Sequence, residues 1–412
     1  MSEEKLVPKL RFPSYSSEWH SYTLGEILTF YSTNSFSREK LNYDTGSVKN
    51  IHYGDIHTKF PSIVSIDNNK DIPFINDDLD LSKFSEDQYL REGDLIIADA
   101  SEDYEDIGKA IEVKDINNEK VLAGLHTILA RDENDMAVNG FKAYLFSTNN
   151  LKTKIKIIAN GISVLGISKN NLSKLNVEIP SKKEQQNIVS FISDIDKKIE
   201  LLEKKHQLYL DFKNYLMQQI FAQKLRFNFT DDWKQYKLKD VLTVKSSSIS
   251  INQLEENTGD YPLYGASGFL KNIDFCEMDV DYISIVKDGS GVGNLSFHEK
   301  NSSIVNTSQY LLPKKNFNIN FLYYLLQTIN LMKYVNGSSI PHIYFKDYCI
   351  EKINIPSLDE QEKIGKLFVD VDITMENLNK NINATQEFKK GLLQQMFVVQ
   401  LILSLLQNKK HI

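Results

Sequence analysis

The chain's 412 residues, 41% hydrophobic and 25% charged, read as an ordinary globular protein of two or three domains. Cys276 and Cys349 are too few for a disulfide framework or a zinc site, the opening MSEEKLVPKL has no apolar stretch for a signal peptide, and Phe397–Leu406 is too short to span a bilayer, so a cytoplasmic protein with no membrane partner is expected. A net charge of −7 argues against a simple nucleic-acid binder, and a chain of this balance that reads DNA would need basic partners to neutralise phosphate.

The first recognisable element is KLRF at Lys9–Phe12, with Trp19 soon after. A long segment rich in Gly, Asn, Asp, Ser and aromatic residues follows. It holds strand-like runs at Asp94–Ala98 and Leu122–Ala130, a helical run near Gly140–Ser147, and acidic stretches at Asn76–Asp80 and Asp99–Asp106. At Ser181 the pattern changes to a long amphipathic helix running to Phe221. Ser181 and Glu184 spell a capping box behind Pro180, and Ile188, Ile192, Ile195, Ile199 and Leu202 keep a four-three spacing. KLRF then returns at Lys224–Phe227, followed by Trp233. A second divergent segment carries strand-like runs at Tyr282–Val286 and Ser308–Leu312 and a helical run at Ile319–Tyr334. Ser357 and Glu360 open a second helix with Ile364, Phe368, Val371, Met375 and Leu378 in the same spacing.

The chain is therefore written twice. Ile179–Phe221 recurs as Ile355–Phe397 with no gap, a constant 176 residues later, down to Pro180/Pro356, Gln185/Gln361, Asp196/Asp372 and Phe212/Phe388. Repetition at this period means two copies of one domain-plus-helix unit. The shared register predicts that Ile188–Leu202 packs against Ile364–Leu378 as a coiled coil, rather than each helix serving its own domain alone. One KLRF follows the first helix while the other opens the chain, so equivalent placement would bring the chain start near the end of the second helix. That order predicts an α+β protein: two mixed α/β domains joined by two long antiparallel helices in a pseudo-twofold, circular arrangement suited to a two-part target. The expected division is 1–180, 181–223, 224–356, 357–397 and a tail at 398–412. Faint correspondences link the two domains: Asp106–Lys109 with Gly291–Asn294, His126-Thr127 with Asn306-Thr307, and Gly161–Ser163 with Gly337–Ser339.

No catalytic motif stands out. The nine prolines include no adjacent pair, which removes the Pro-Pro-aromatic loop that an adenine-methylating enzyme uses to hold its base. Asp288–Asn294 is Gly-rich and follows a strand, but another strand-like run comes next, so it reads as a hairpin rather than a phosphate loop. Glu112-Val-Lys114 with Asp94 or Asp99 could mimic a metal-dependent nuclease, but such a tripeptide arises readily by chance. His52 and His57 flank Asp55 in the manner of a metal site, but without a fourth ligand they read as a polar loop. No metal site and no catalytic residue are expected.

Two variable domains, each followed by a P-S-x-x-E-Q helix ending in LxQQxF, resemble the specificity subunits of type I restriction-modification systems. Tyr261–Gly268, Tyr282–Asn294 and Asn306-Thr307 resemble that family's target recognition domains. The resemblance implies that each domain binds one half of a split double-stranded DNA site while the helices set the spacing. It implies a non-catalytic chain with no cofactor of its own. It also implies two modification subunits that methylate adenine with S-adenosylmethionine, and restriction motor-nuclease subunits that use ATP and Mg. A protein-only coiled-coil scaffold and a self-sufficient nuclease remain the competing readings. Reading bases requires polar side chains on groove-entering loops. The expected contacts are Lys49, His52, Tyr53, His57, Lys59, Ser101 and Lys109 in the first domain. In the second they are Lys245, Ser246, Ser247, Ser248, Tyr264, Ser267, Lys287, Ser338, Ser339 and His342.

Overall fold

Each repeated stretch is one continuous helix of 40 residues, Lys182–Phe221 and Leu358–Phe397, about 60 Å of rod apiece. The computed structural model describes residues 4–403 apart from 68, 252, 253, 255–258, 338 and 398. The chain divides into two compact units, Met1–Glu200 with Asn383–Ile412, and Leu201–Ile382, so the division passes through both long helices.

In the first unit a five-stranded mixed sheet runs in the order Thr29–Tyr31, Thr127–Arg131, Leu95–Ala98, Ala110–Lys114, Ile63–Ser65. A four-stranded sheet lies in the order Val121–Ala123, Lys49–Ile51, Phe74–Ile75, Leu41–Asn42, its first pair parallel. The run expected at Leu122–Ala130 is thus two strands, broken where His126 takes φ 54°. The second unit repeats the plan. Leu242–Ser246, Ser308–Pro313, Tyr282–Val286 and Leu295–His298 give the first four positions of the larger sheet, with no fifth edge strand among the described residues. Gly268–Ile273, Tyr261–Gly265 and Ser303–Ile304 form the smaller sheet, again with one parallel pair. Helices Phe141–Phe146 and Asn149–Ile158 stand where Ile319–Gln327 stands in the second copy. Both divergent segments are one topology.

Within the first unit, Ile188, Ile192 and Ile195 share a core with Trp19, Phe141, Leu392, Leu393, Met396 and Phe397, and Lys389 pairs with Asp196. Within the second, Ile364 and Phe368 share a core with Trp233, Phe321, Leu216 and Ile220, and Lys213 pairs with Asp372 at 2.6 Å. In each unit the start of one helix therefore meets the end of the other, which makes the pairing antiparallel. This corrects the expected facing of Ile188–Leu202 with Ile364–Leu378. An antiparallel pair sets start against end, so two like apolar starts each take the other helix's C-terminal turns as partner. Val371 and Leu378 are buried, while Ile199, Leu202 and Met375 are half-buried.

The duplicated polar residues hold domain to helix. Arg11 donates from Nε and Nη2 to the two carboxylate oxygens of buried Glu184, both at 2.7 Å, and Trp19 Nε1 donates to the same group at 3.3 Å. Arg226, Trp233 and Glu360 repeat this at 3.0, 2.7 and 3.4 Å. The glutamates expected to close capping boxes are thus committed to the KLRF arginines. The charge-assisted bidentate pair is the stronger use of a carboxylate at a buried helix start. Gln185 accepts from Val138 N and donates to Pro180 O, and Gln361 does the same with Asn318 N and Pro356 O. The hydroxyls of Tyr144 and Tyr324 donate to Asp196 and Asp372. Leu10 N donates to Gln395 O, and Glu4–Pro8 pairs antiparallel with Val399–Leu403, so the chain start does lie at the end of the second helix, within the first unit. The tail from 404 lies outside the described residues.

Candidate nucleic-acid interface

One residue in each unit gathers three loops at the end of the larger sheet. In the first unit it is Asp99, directly after strand Leu95–Ala98. Its N–H donates to His126 O at 3.0 Å and its carbonyl accepts from Ile167 N at 2.9 Å. In the second it is Lys287, after strand Tyr282–Val286, whose N–H donates to Thr307 O at 2.9 Å and whose carbonyl accepts from Ile343 N at 2.8 Å. The hairpins that leave these residues close alike: Gly108 N donates to Ala98 O and Gly293 N to Val286 O, with φ of +73° and +86°. The third loop is bridged twice over in both units, Asn160 with Gly166 and Asn336 with His342, around Gly161 and Gly337 at φ +139° and +91°. These backbone angles leave glycine as the unstrained choice. The frame equates His126 with Thr307, one residue away from the expected match to Asn306, because strand register fixes Thr127 opposite Ala98 and Ser308 opposite Val286.

Side chains on the two frames differ sharply. On the first, Asp99 Oδ1 lies 3.5 Å from His126 Nδ1, and burial pushes the Asp99 carboxyl up while His126 opposes the shift. Lys109 Nζ donates to His57 O at 2.6 Å, which ties the hairpin to helix Tyr53–Thr58. Tyr53 stacks edge-on to His57 and His126, at 5.8 and 5.3 Å between ring centres. Arg38 and Lys59, both partly exposed, hold buried Asp55, and Lys59 donates to the Tyr43 hydroxyl at 2.7 Å. Tyr53, His57, Lys59 and Lys109 therefore come together with Arg38, Tyr43, Asp99 and His126, which sequence reasoning missed.

Four expected contacts are buried and bonded within their own domain. Lys49 is 4% exposed and pairs with Glu119 at 2.8 Å. His52 is buried as the N-cap of helix Tyr53–Thr58, accepting from Gly54 N. Burial, reinforced by the Arg38 charge, pushes its pKa down to about 4. Ser101 accepts from Asp103 N, and Ser247 donates to Ile304 O at 2.6 Å; both are buried. Their burial and existing hydrogen bonds set them apart from the exposed side chains at the sheet end.

On the second frame Lys287 pairs with Asp288 at 3.3 Å, and His342 packs at a tilt against Tyr344, 5.0 Å between ring centres. Ser246 pairs across strands with Gln309, itself opposite Ile285, which puts Lys245–Ser248 at the same end of the sheet as Lys287. Exposed Lys245 donates to Glu277 O at 3.0 Å, and Ser248 bonds the Glu277 carboxylate. Tyr264 packs on His298 at 4.4 Å, while Ser267 and Ser339 are exposed in turns; Ser338 lies outside the described residues.

The nuclease-like tripeptide dissolves. Buried Glu112 takes the N–H groups of Gly140 and Ala143 and pairs with Lys142 at 2.8 Å, so it caps a helix. Asp94 is gripped through both oxygens by Arg131. Among the described residues no three His, Cys, Asp or Glu side chains are grouped to hold a metal, and no helix is long and apolar enough to cross a membrane.

Comparison with known proteins gives a consistent picture. The model of the type I restriction modification DNA specificity domain matches residues 16–208 and again 230–386. The MjaVIII type I restriction enzyme specificity subunit of Methanocaldococcus jannaschii is 28% identical over 182 residues, spanning 40% of this chain and 42% of that protein. A putative type I specificity subunit of Mycoplasma pneumoniae is 25% identical over 57% of this chain and 89% of its own length. The fold is similar to the crystal structure of a type I restriction-modification S subunit from M. genitalium, with a TM-score of 0.61 at 17% identity, covering 95% of this chain and 99% of that one.

Proposed function

The chain belongs to the type I restriction modification DNA specificity family, its domain present twice, and from that premise we propose that each unit reads one half of a split double-stranded DNA site through the loops gathered at Asp99 or Lys287. The carrying observation is a frame retained hydrogen bond by hydrogen bond beneath side chains of opposite charge. That is what two readers of different sequences need. Lysine suits the acceptors of guanine, and a carboxylate suits the cytosine amino group. We assign recognition to residues 1–180 and 224–356 and spacing to the helices, whose length exceeds the ~34 Å of one DNA turn.

On this reading the chain is a non-catalytic cytoplasmic subunit. It docks two modification subunits that bring S-adenosylmethionine and methylate adenine, and motor-nuclease subunits that bring ATP and magnesium. Those partners also supply phosphate neutralisation that a chain of net charge −7 lacks. The test is co-expression with a type I modification subunit from the same genome, followed by methylome sequencing. A two-part methylated motif that disappears when this gene is deleted supports the reading; an unchanged methylome refutes it.

A further inference from the structure

The first unit gathers three histidines around the Tyr53 ring and uses them differently. His52 is buried and caps helix Tyr53–Thr58 through Nδ1. His57 turns Nε2 to the carbonyl of Ala100 at 3.1 Å, a bond in which the imidazole must be the donor. His126 is the exposed one, its side chain 52% open to solvent with Nδ1 facing Asp99. The backbone beneath it is also unusual. His126 takes φ +54° in the turn that leads from Val121–Ala123 into Thr127–Arg131. Left-handed backbone is uncommon outside glycine, although asparagine, aspartate and histidine tolerate it best. The frame does not demand it, because Thr307 accepts the same bond from Lys287 on ordinary backbone. Strain that the fold can do without, at a place presenting one polar side chain, points to function.

Asp99 completes the arrangement. Its side chain is 30% exposed, so the ring is the more open of the two groups, and Tyr53 braces that ring edge-on at 5.3 Å. A carboxylate acceptor beside Nδ1 keeps the proton on that nitrogen, which leaves Nε2 of the neutral imidazole as a bare acceptor. In the major groove such an acceptor is matched by the N6 amino group of adenine or the N4 amino group of cytosine.

We propose that His126 is a base-reading residue of the first unit, accepting through Nε2 from the exocyclic amino group of adenine or cytosine, and that Asp99 is the positioning residue that fixes its tautomer and aim. The proposal rests on the functional reading above, and moves the contact from the Asp99 carboxylate to the ring it holds.

The test uses the full chain co-expressed with a type I modification subunit from the same genome, and methylome sequencing of the wild type gives the two-part motif. His126→Gly accommodates φ +54° without strain and should keep the wild-type circular dichroism spectrum. It should relax one position in one half-site, a position that reads A or C on one strand. Asp99→Asn should relax the same position, and the double variant should go no further than His126→Gly. On duplexes carrying the site, that base is then replaced by its deamino analogue, purine for adenine or 2-pyrimidinone for cytosine. The replacement should weaken binding by the wild-type complex about tenfold and leave binding by the His126→Gly complex unchanged. An unchanged motif in His126→Gly, relaxation at several positions, or an even loss of methylation at all sites overturns the proposal and leaves the functional reading intact. A wild-type chain that directs no methylation refutes that reading, and the proposal with it.

Discussion

Asp99 and Lys287 occupy the same place in the hydrogen-bond frames of their units and carry opposite charge. Each donates its N–H to the residue before the neighbouring strand and accepts from the isoleucine that closes the bridged loop. Side-chain identity at this place is therefore separable from the fold. Lys287→Ala should weaken binding at the native site by ~1–3 kcal/mol if the contact is to a base edge, and should relax only the half-site read by the second unit. A loss spread evenly over all sequences, with a shallower salt dependence, would make it a phosphate contact. Titration of labelled duplexes at several salt concentrations distinguishes the two.

Lys49→Ala gives the contrasting case. Its ammonium is buried against the Phe74 ring and a half-buried Glu119, so the substitution should cost about 1–3 kcal/mol of stability by removing a charge-assisted hydrogen bond. Half-site preference measured on the surviving folded fraction should not change.

Removing the carboxylate of Glu360 should cost about 3 kcal/mol, because Arg226 and the Trp233 N–H lose their shared acceptor. Glu184→Ala should act similarly through Arg11 and Trp19. Double-mutant cycles with Arg11→Ala and Arg226→Ala should show strong coupling within each pair; additivity would refute the anchoring role.

On the long helices, Ile195→Glu and Val371→Glu should each cost several kcal/mol by burying an unpaired charge. Leu208→Glu, on a side chain 59% exposed, should stay within ~0.5 kcal/mol. Urea denaturation of the three variants checks the ranking.

His52 and His298 are both held at about 4, well below the usual 6.5, by burial. The unfolded chain therefore takes up these protons first as pH falls. Stability is fully present above about 6.5 and is lost between 6.5 and 4. His298→Gln should flatten part of that slope, read as urea midpoints at about pH 7.5 and about pH 5.

The long helices, the antiparallel hairpin at Asp288–Asn294 and the correspondence of Gly161 with Gly337 were legible because they depend on local periodicity and backbone angle. The partners of Glu184 were not. A serine three residues upstream suggests a cap, whereas the groups that bind it lie at Arg11 and Trp19, far off in the chain. Lys49 misled for the same reason. In sequence it is a lysine beside turn residues, and only Glu119, 70 positions later, makes it a core residue. His126 is legible in the sequence as part of a repeat but not as a contact, since nothing local reveals that its carbonyl meets Asp99.

The two units differ in how they are laid out along the chain. The second is one uninterrupted stretch, Leu201–Ile382, whereas the first needs residues from Asn383 onward. Phe397 packs edge-on against Trp19 and tilted against Phe141, at 6.2 and 5.4 Å, so the core of the first unit lacks part of its filling until that residue is made. Synthesis from the N-terminus thus finishes the later unit earlier. The first-made domain must wait on the ribosome with its apolar face uncovered, an interval in which chaperone capture is most expected.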